Sequence, residues 1–188
     1  MKHLLVLLSL FACGAALAAD NTVRHGFWGD IDIGVGRLHL SPDVASDRTT
    51  TRLYYALSGG YTLHPQLQLG VEAGAWNINT IGLNYSNTSE GLIHLFAVAR
   101  YWPTANSKLF IKAAGGRVSH WNNQGSATEG TGHGYTLGLG YELARVASTE
   151  TYWFLNYNAG NINGYTPAGG VKQDENYHAL AVGLSFSF

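Results

Sequence analysis

The chain has 188 residues, of which 12% are charged and 12% aromatic, with 24 glycines and a formal net charge of −1. Charge at about half the ordinary share of roughly 25%, with no cluster of Lys or Arg, excludes the electrostatic footprint of a nucleic-acid-binding protein. The single cysteine, Cys13, lies near the start, so beyond it there is no disulfide and no thiol chemistry to account for.

In chain order, MKHLLVLLSLFACGAALAAD opens on Lys2 and His3, continues with apolar Leu4 to Ala12, and reaches small residues before Asp20. This is the layout of a secretory signal, with Ala16 and Ala18 at the spacing a signal peptidase reads. The expected division is a signal peptide over 1–18 and one domain over 19–188. The apolar stretch is too short for an anchor, which needs about 20 residues. Phe11 is bulky where a lipobox carries a small residue, so Cys13 reads as an ordinary member of the signal. Removing Lys2 leaves 10 Lys and Arg against 12 Asp and Glu. No later apolar run is long enough for a transmembrane helix.

Eight segments then share a period of two. Their apolar faces are Phe27/Ile31/Ile33/Val35, Leu53/Tyr55/Leu57/Tyr61/Leu63, Leu67/Leu69/Val71/Ala73 and Ile93/Leu95/Ala97/Tyr101. Next come Leu109/Ile111/Ala113, Tyr135/Leu137/Leu139/Tyr141/Leu143, Trp153/Leu155/Tyr157 and Leu180/Val182/Leu184/Phe186/Phe188. Alternation at this period is the signature of a strand. The intervening positions carry glycine and charge: Asp30, Asp32, Arg52, Glu72, Arg100, Lys112 and Glu142.

A soluble barrel hides its apolar face and shows charge, and a sandwich covers one sheet with another. Here the crowded, glycine-rich face is the charged one, and no segment remains to cover eight apolar faces. They must meet lipid. The prediction is an all-β fold, an eight-stranded antiparallel up-and-down transmembrane β-barrel. The seven charged residues then form a lumen polar network. Asp30, Asp32, Glu72 and Glu142 outnumber Arg100 and Lys112 at similar depth, with Arg52 further out and Tyr54, Tyr152 and Ser58 as donors. Buried carboxylates require partners, so a polar plug centred on Glu72 and Lys112, without a continuous pore, is expected.

Connections alternate long and short: 41–50, 64–66, 78–90, 103–107, 122–131, 145–150 and 162–176. Short periplasmic turns and longer outer loops give this rhythm when both termini are periplasmic. Parity puts Arg37, His39 and His178 outward, near the outer ends of their strands, where lipopolysaccharide phosphates are candidate acceptors. His120 and His133 are read as rim residues in the aqueous interface, and no metal site or cofactor is expected.

The stretches KLFIKAAGG, GYTLGLGYELA and YHALAVGLSFSF, with the signal, resemble the small outer-membrane β-barrel family of OmpA-like and OmpX-like domains. The resemblance implies a Gram-negative outer membrane, one chain per barrel, and insertion by the barrel assembly machinery. Phe186 and Phe188 stand where that family carries its membrane insertion signal. It implies no reaction, since one barrel hosts many roles. Lipid A deacylase barrels place a serine two residues after a histidine, then asparagine. Here His120 is followed by Trp121, Asn122 and Asn123, and His178 by Ala179 and Leu180, so neither matches. The expected function is structural or surface interaction without catalysis, in contact with outer-membrane lipid. The alternatives are a narrow solute channel and, behind it, a lipid A-modifying enzyme.

Overall fold

The computed structural model describes residues 24–77, 90–122, 129–146, 149–167 and 170–188; the predicted signal over 1–18 lies outside them. The strands are β1 (Gly26–Pro42), β2 (Arg48–His64), β3 (Leu67–Asn77), β4 (Glu90–Tyr101), β5 (Leu109–Asn122), β6 (Gly130–Val146), β7 (Thr149–Tyr165) and β8 (Gln173–Ser187). Each pairs antiparallel with the next, and β8 returns to β1 to close the barrel. Closure removes the unpaired edge that a sheet cannot keep in lipid.

The alternation of the sequence passes directly into the wall. On β1, Phe27, Ile31, Ile33 and Val35 are exposed, while Trp28, Asp30, Asp32 and Leu38 are buried. On β6, Tyr135, Leu137, Leu139, Tyr141 and Leu143 are exposed and Thr136 is buried. Rings fill the lumen because glycines on neighbouring strands leave room for them. A Cβ at Gly140 would stand 2.1 Å from the Phe110 ring, and one at Gly74 would stand 2.5 Å from the His94 ring. The final residue closes the seam: Phe188 N donates to Gly29 O and Gly29 N to Phe188 O, both at 2.9 Å.

Register sets the tilt. A path of paired residues leaves β1 at Ile31 and runs through Leu57, Ala73, Leu95, Arg117, His133, Asn161 and Asn176. It returns to β1 at Ser41, ten residues further along. Such a shear on eight strands tilts them by roughly 45°, so each step between strands climbs about 3 Å along the barrel axis. With that climb included, exposed Phe27, Tyr61, Tyr101, Tyr141 and Trp153 share one level near the short turns. Tyr55, Tyr135 and Tyr157 share another, about 15 Å above it. Lipid-facing aromatic residues gathered toward the two ends of the wall are a feature of membrane barrels.

The strands run further than their apolar residues suggest. β7 continues to Tyr165 and β8 begins at Gln173, inside the predicted 162–176 loop. β6 and β7 likewise run into the predicted 145–150 turn, up to Val146 and from Thr149. Backbone pairing does not need apolar side chains, so ladders such as Asn161↔Asn176 and Ile162↔Glu175 extend beyond the lipid-facing stretch. Gly164, with φ of +75°, lies in the irregularity between Ile162 and Tyr165, a conformation that suits glycine.

This topology predicts sidedness. An epitope inserted after Ser46, between β1 and β2, is expected to be labelled on intact cells. One inserted after Asn106, between β4 and β5, should be labelled only after the membrane is opened. Labelling at Asn106 on intact cells would reverse the orientation.

Candidate functional site

Inside the barrel, charge is stacked in three layers with rings and aliphatic side chains between them. At the short-turn end, Arg24 donates to Glu142 Oε2 at 3.1 Å and to the carbonyl oxygens of Ala105 and Ser107 at 3.1 and 3.3 Å. Arg145 pairs with both Glu142 and Glu150. The Arg24 guanidinium lies 4.4 Å over the Trp102 ring. Trp102, Phe110 and Tyr152 form the aromatic layer that follows.

The middle layer is a buried ion-pair network. Arg100 pairs with Asp30, and Lys112 pairs with Glu72 and lies 3.6 Å from Asp32. These five side chains are at most 3% exposed. Ser58 donates to Asp30 at 3.3 Å, Tyr54 donates to Glu72 at 3.4 Å, and His94 Nε2 lies 3.2 Å from Glu72 Oε1. Rings cap it: His94 stacks on Phe96 at 4.4 Å, and Tyr54 packs against Trp76 at 5.1 Å. Leu38, Leu40, Leu92, Val118 and Ile162 continue the filling upward.

At the outer mouth, fully buried His120 bridges two carboxylates, with Nδ1 2.6 Å from Glu175 and Nε2 2.8 Å from Glu90. Arg48 donates to Glu90 at 3.0 Å, Tyr165 O–H donates to it at 3.2 Å, and Gln173 donates to Glu175 at 2.8 Å. The Tyr165 ring stacks on the imidazole at 3.8 Å. Five strands, β2, β4, β5, β7 and β8, are tied together here.

Of the seven residues predicted for the lumen network, the structure brings together Asp30, Asp32, Glu72, Arg100 and Lys112. Glu142 is corrected to the layer at the short-turn end, where Arg24 and Arg145 neutralise it. Arg52 stands above the network and donates to the Thr51 carbonyl oxygen at 3.1 Å. The expected imbalance in the middle layer therefore shrinks to three acids against two cations and His94. His120 is also corrected, from a wet rim to a buried bridge. With both ring nitrogens engaged, it is not free to act as a base or a metal ligand.

Sequence reasoning passed over Arg24, Glu90, His94, Glu150 and Glu175. Parity could have found Glu90 and His94, since Glu90, Leu92, His94, Phe96, Val98 and Arg100 alternate inward on β4. It could not say which strand supplies each partner.

On the outer wall, Arg37 is exposed and the rings of His39 and His178 meet across the β1–β8 seam at 4.5 Å. His39 Nδ1 lies 2.7 Å from Thr49 Oγ1, and its Nε2 lies 2.9 Å from Ser41 Oγ and 3.5 Å from Asp47. Arg117 and His133, paired across β5 and β6, are exposed on the same wall. Phe186 and Phe188 take the outward parity of the closing strand.

No protein-family model and no curated protein matches the chain. Among solved structures it is similar to Neisserial surface protein A, at 16% identity and a TM-score of 0.54, over 85% of this chain and 96% of that one. It is also similar to Ail, the attachment invasion locus protein of Yersinia pestis, at 11% identity and a TM-score of 0.56, over 88% of this chain and all of that one. At these identities the likeness is one of fold: that of the small eight-stranded outer-membrane β-barrels.

Proposed function

We propose that residues 19–188, freed of the 1–18 signal, reside in a Gram-negative outer membrane as a plugged, monomeric barrel with a structural or surface-interaction role. One observation carries this reading: the Arg100–Asp30 and Lys112–Glu72 pairs, capped by rings on both sides, fill the lumen. An eight-stranded barrel has room inside for side chains and little for water. Two aromatic levels and the exposed apolar wall between them support residence in lipid. Activity then falls to the outer ends of the strands and their connections, and to the lipid around the wall. Phe186 and Phe188, on the strand that closes the seam, suit recognition by barrel assembly machinery.

Catalysis forms no part of this reading. His120 has both nitrogens bonded to carboxylates, and the hydroxyl of Tyr165, whose ring stacks on it, is engaged in donating to Glu90. Planar-bilayer recording of the purified barrel tests the proposal. Insertion without stable conducting steps is expected. Stable ion channels would overturn the plug and establish the narrow channel in its place.

A further inference from the structure

The wall that faces lipid is not uniform at its outer edge. Allowing for the climb of about 3 Å per strand, Arg37, His39, Arg117, His133 and His178 fall within about 7 Å of one another along the barrel axis. They lie just above the level of Tyr55, Tyr135 and Tyr157, and about 20 Å above the lower aromatic level. That separation is close to the height of a barrel's apolar band, roughly 25 Å. The five come from β5, β6, β8 and β1, so they span about half of the barrel's circumference. At the same level on the adjoining β4 the wall presents apolar Ile93.

Their pairing state separates Arg37 and Arg117 from four of the other arginines. Arg24, Arg48, Arg100 and Arg145 each hold a carboxylate. Arg37 and Arg117 have no carboxylate within ion-pair distance among the described residues, and both are exposed. Asp47, beside His39, is the one acid that reaches this group of five among the described contacts. Over the β1–β8 seam the wall also has a concavity of about 280 Å³, lined by Arg37, His39, Thr49, Tyr157, His178 and Leu180. Its upper lining donates hydrogen bonds and its lower lining is aromatic and aliphatic.

We propose that this seam is a binding site for the phosphorylated headgroup of an outer-leaflet lipid. Arg37 meets the phosphate with its planar fork. His39, held by Thr49 and Ser41, packs against His178 and fixes that ring as a second donor. Tyr157 and Leu180 receive the first part of the acyl chains. Arg117 and His133 extend the same surface to the neighbouring lipid. A free anion fits less well, because most of the concavity's lining is apolar and would stay unfilled. The site rests on the membrane-spanning reading above.

The experiment uses the full mature chain in detergent micelles, with retained lipid read by native mass spectrometry. The probes are bisphosphorylated lipid A, its dephosphorylated form, and inorganic phosphate in large excess. Lipid A is expected to be retained, and the dephosphorylated form to bind about tenfold or more weakly, as loss of a charge-assisted contact requires. Inorganic phosphate should not displace the lipid. The double variant Arg37→Gln/His178→Gln should reproduce the weakening while still showing the heat-shifted gel mobility of a folded barrel. Equal retention of both lipids, or displacement by inorganic phosphate, would overturn the site on the unaltered protein alone, whether or not the variant folds. A barrel that inserts into vesicles yet shows either result loses this site and keeps the proposed function; one that fails to insert loses both.

Discussion

Lys112→Ala is expected to lower the stability of the barrel by about 3–5 kcal/mol, the range for removing one partner of a buried ion pair. The Lys112 ammonium faces Glu72 and lies 3.6 Å from Asp32, and all three side chains are at most 3% exposed. Truncation leaves Glu72 with only Tyr54 and His94 within hydrogen-bonding reach. Asp32 keeps no cation within ion-pair distance among the described residues. Urea unfolding from lipid vesicles reads the loss directly. Adding Glu72→Gln in the Lys112→Ala background should restore part of the stability, because the charge left uncompensated is then gone. A Lys112→Ala barrel as stable as the parent would mean that the middle layer is solvated, and would remove the physical basis of the plug.

Leu139→Arg should cost about 2–4 kcal/mol, the value for a cation on the lipid face near the bilayer midplane. Leu139 lies on β6 between Tyr135 and Tyr141, one from each aromatic level, and pairs with Ile111 and Leu155. No carboxylate is near enough to receive the new charge among the described contacts, and from mid-band the side chain has far to reach for water. Thr136 on the same strand faces the lumen, fully buried, and donates to Asn158 Oδ1 at 2.7 Å. Thr136→Ser keeps that hydroxyl and should change stability by about 1 kcal/mol or less. Refolding yields and urea midpoints in the same vesicles compare the two. If the Thr136 change proved the more damaging, the assignment of inner and outer faces would be wrong.

The two variants test different kinds of information in the chain. Leu139 could be assigned to lipid from the sequence by itself, because a strand has a period of two and its parity class on β6 carries only apolar residues from Tyr135 to Leu143. The strand number, the closed antiparallel order, the loop rhythm and the inward place of Asp30, Asp32, Glu72, Arg100 and Lys112 follow from the same local regularity. Parity is a property of consecutive residues, so it survives without knowledge of any neighbour.

Partner choice is a property of neighbouring strands, and only the tertiary structure decided it. A shear of ten residues slides each strand against the next, so residues of like parity far apart in sequence reach one level. That slide carried Glu142 down to Arg24, left Arg52 above the plug, and placed His120 between Glu90 and Glu175. It also drew Arg117 and His133 up to the level of Arg37, His39 and His178, although nothing in their spacing along the chain relates them. Alternation in the sequence specifies which way a side chain faces. Its height, and therefore the charge it meets, depends on hydrogen-bond register and tilt, which exist only once the barrel has closed.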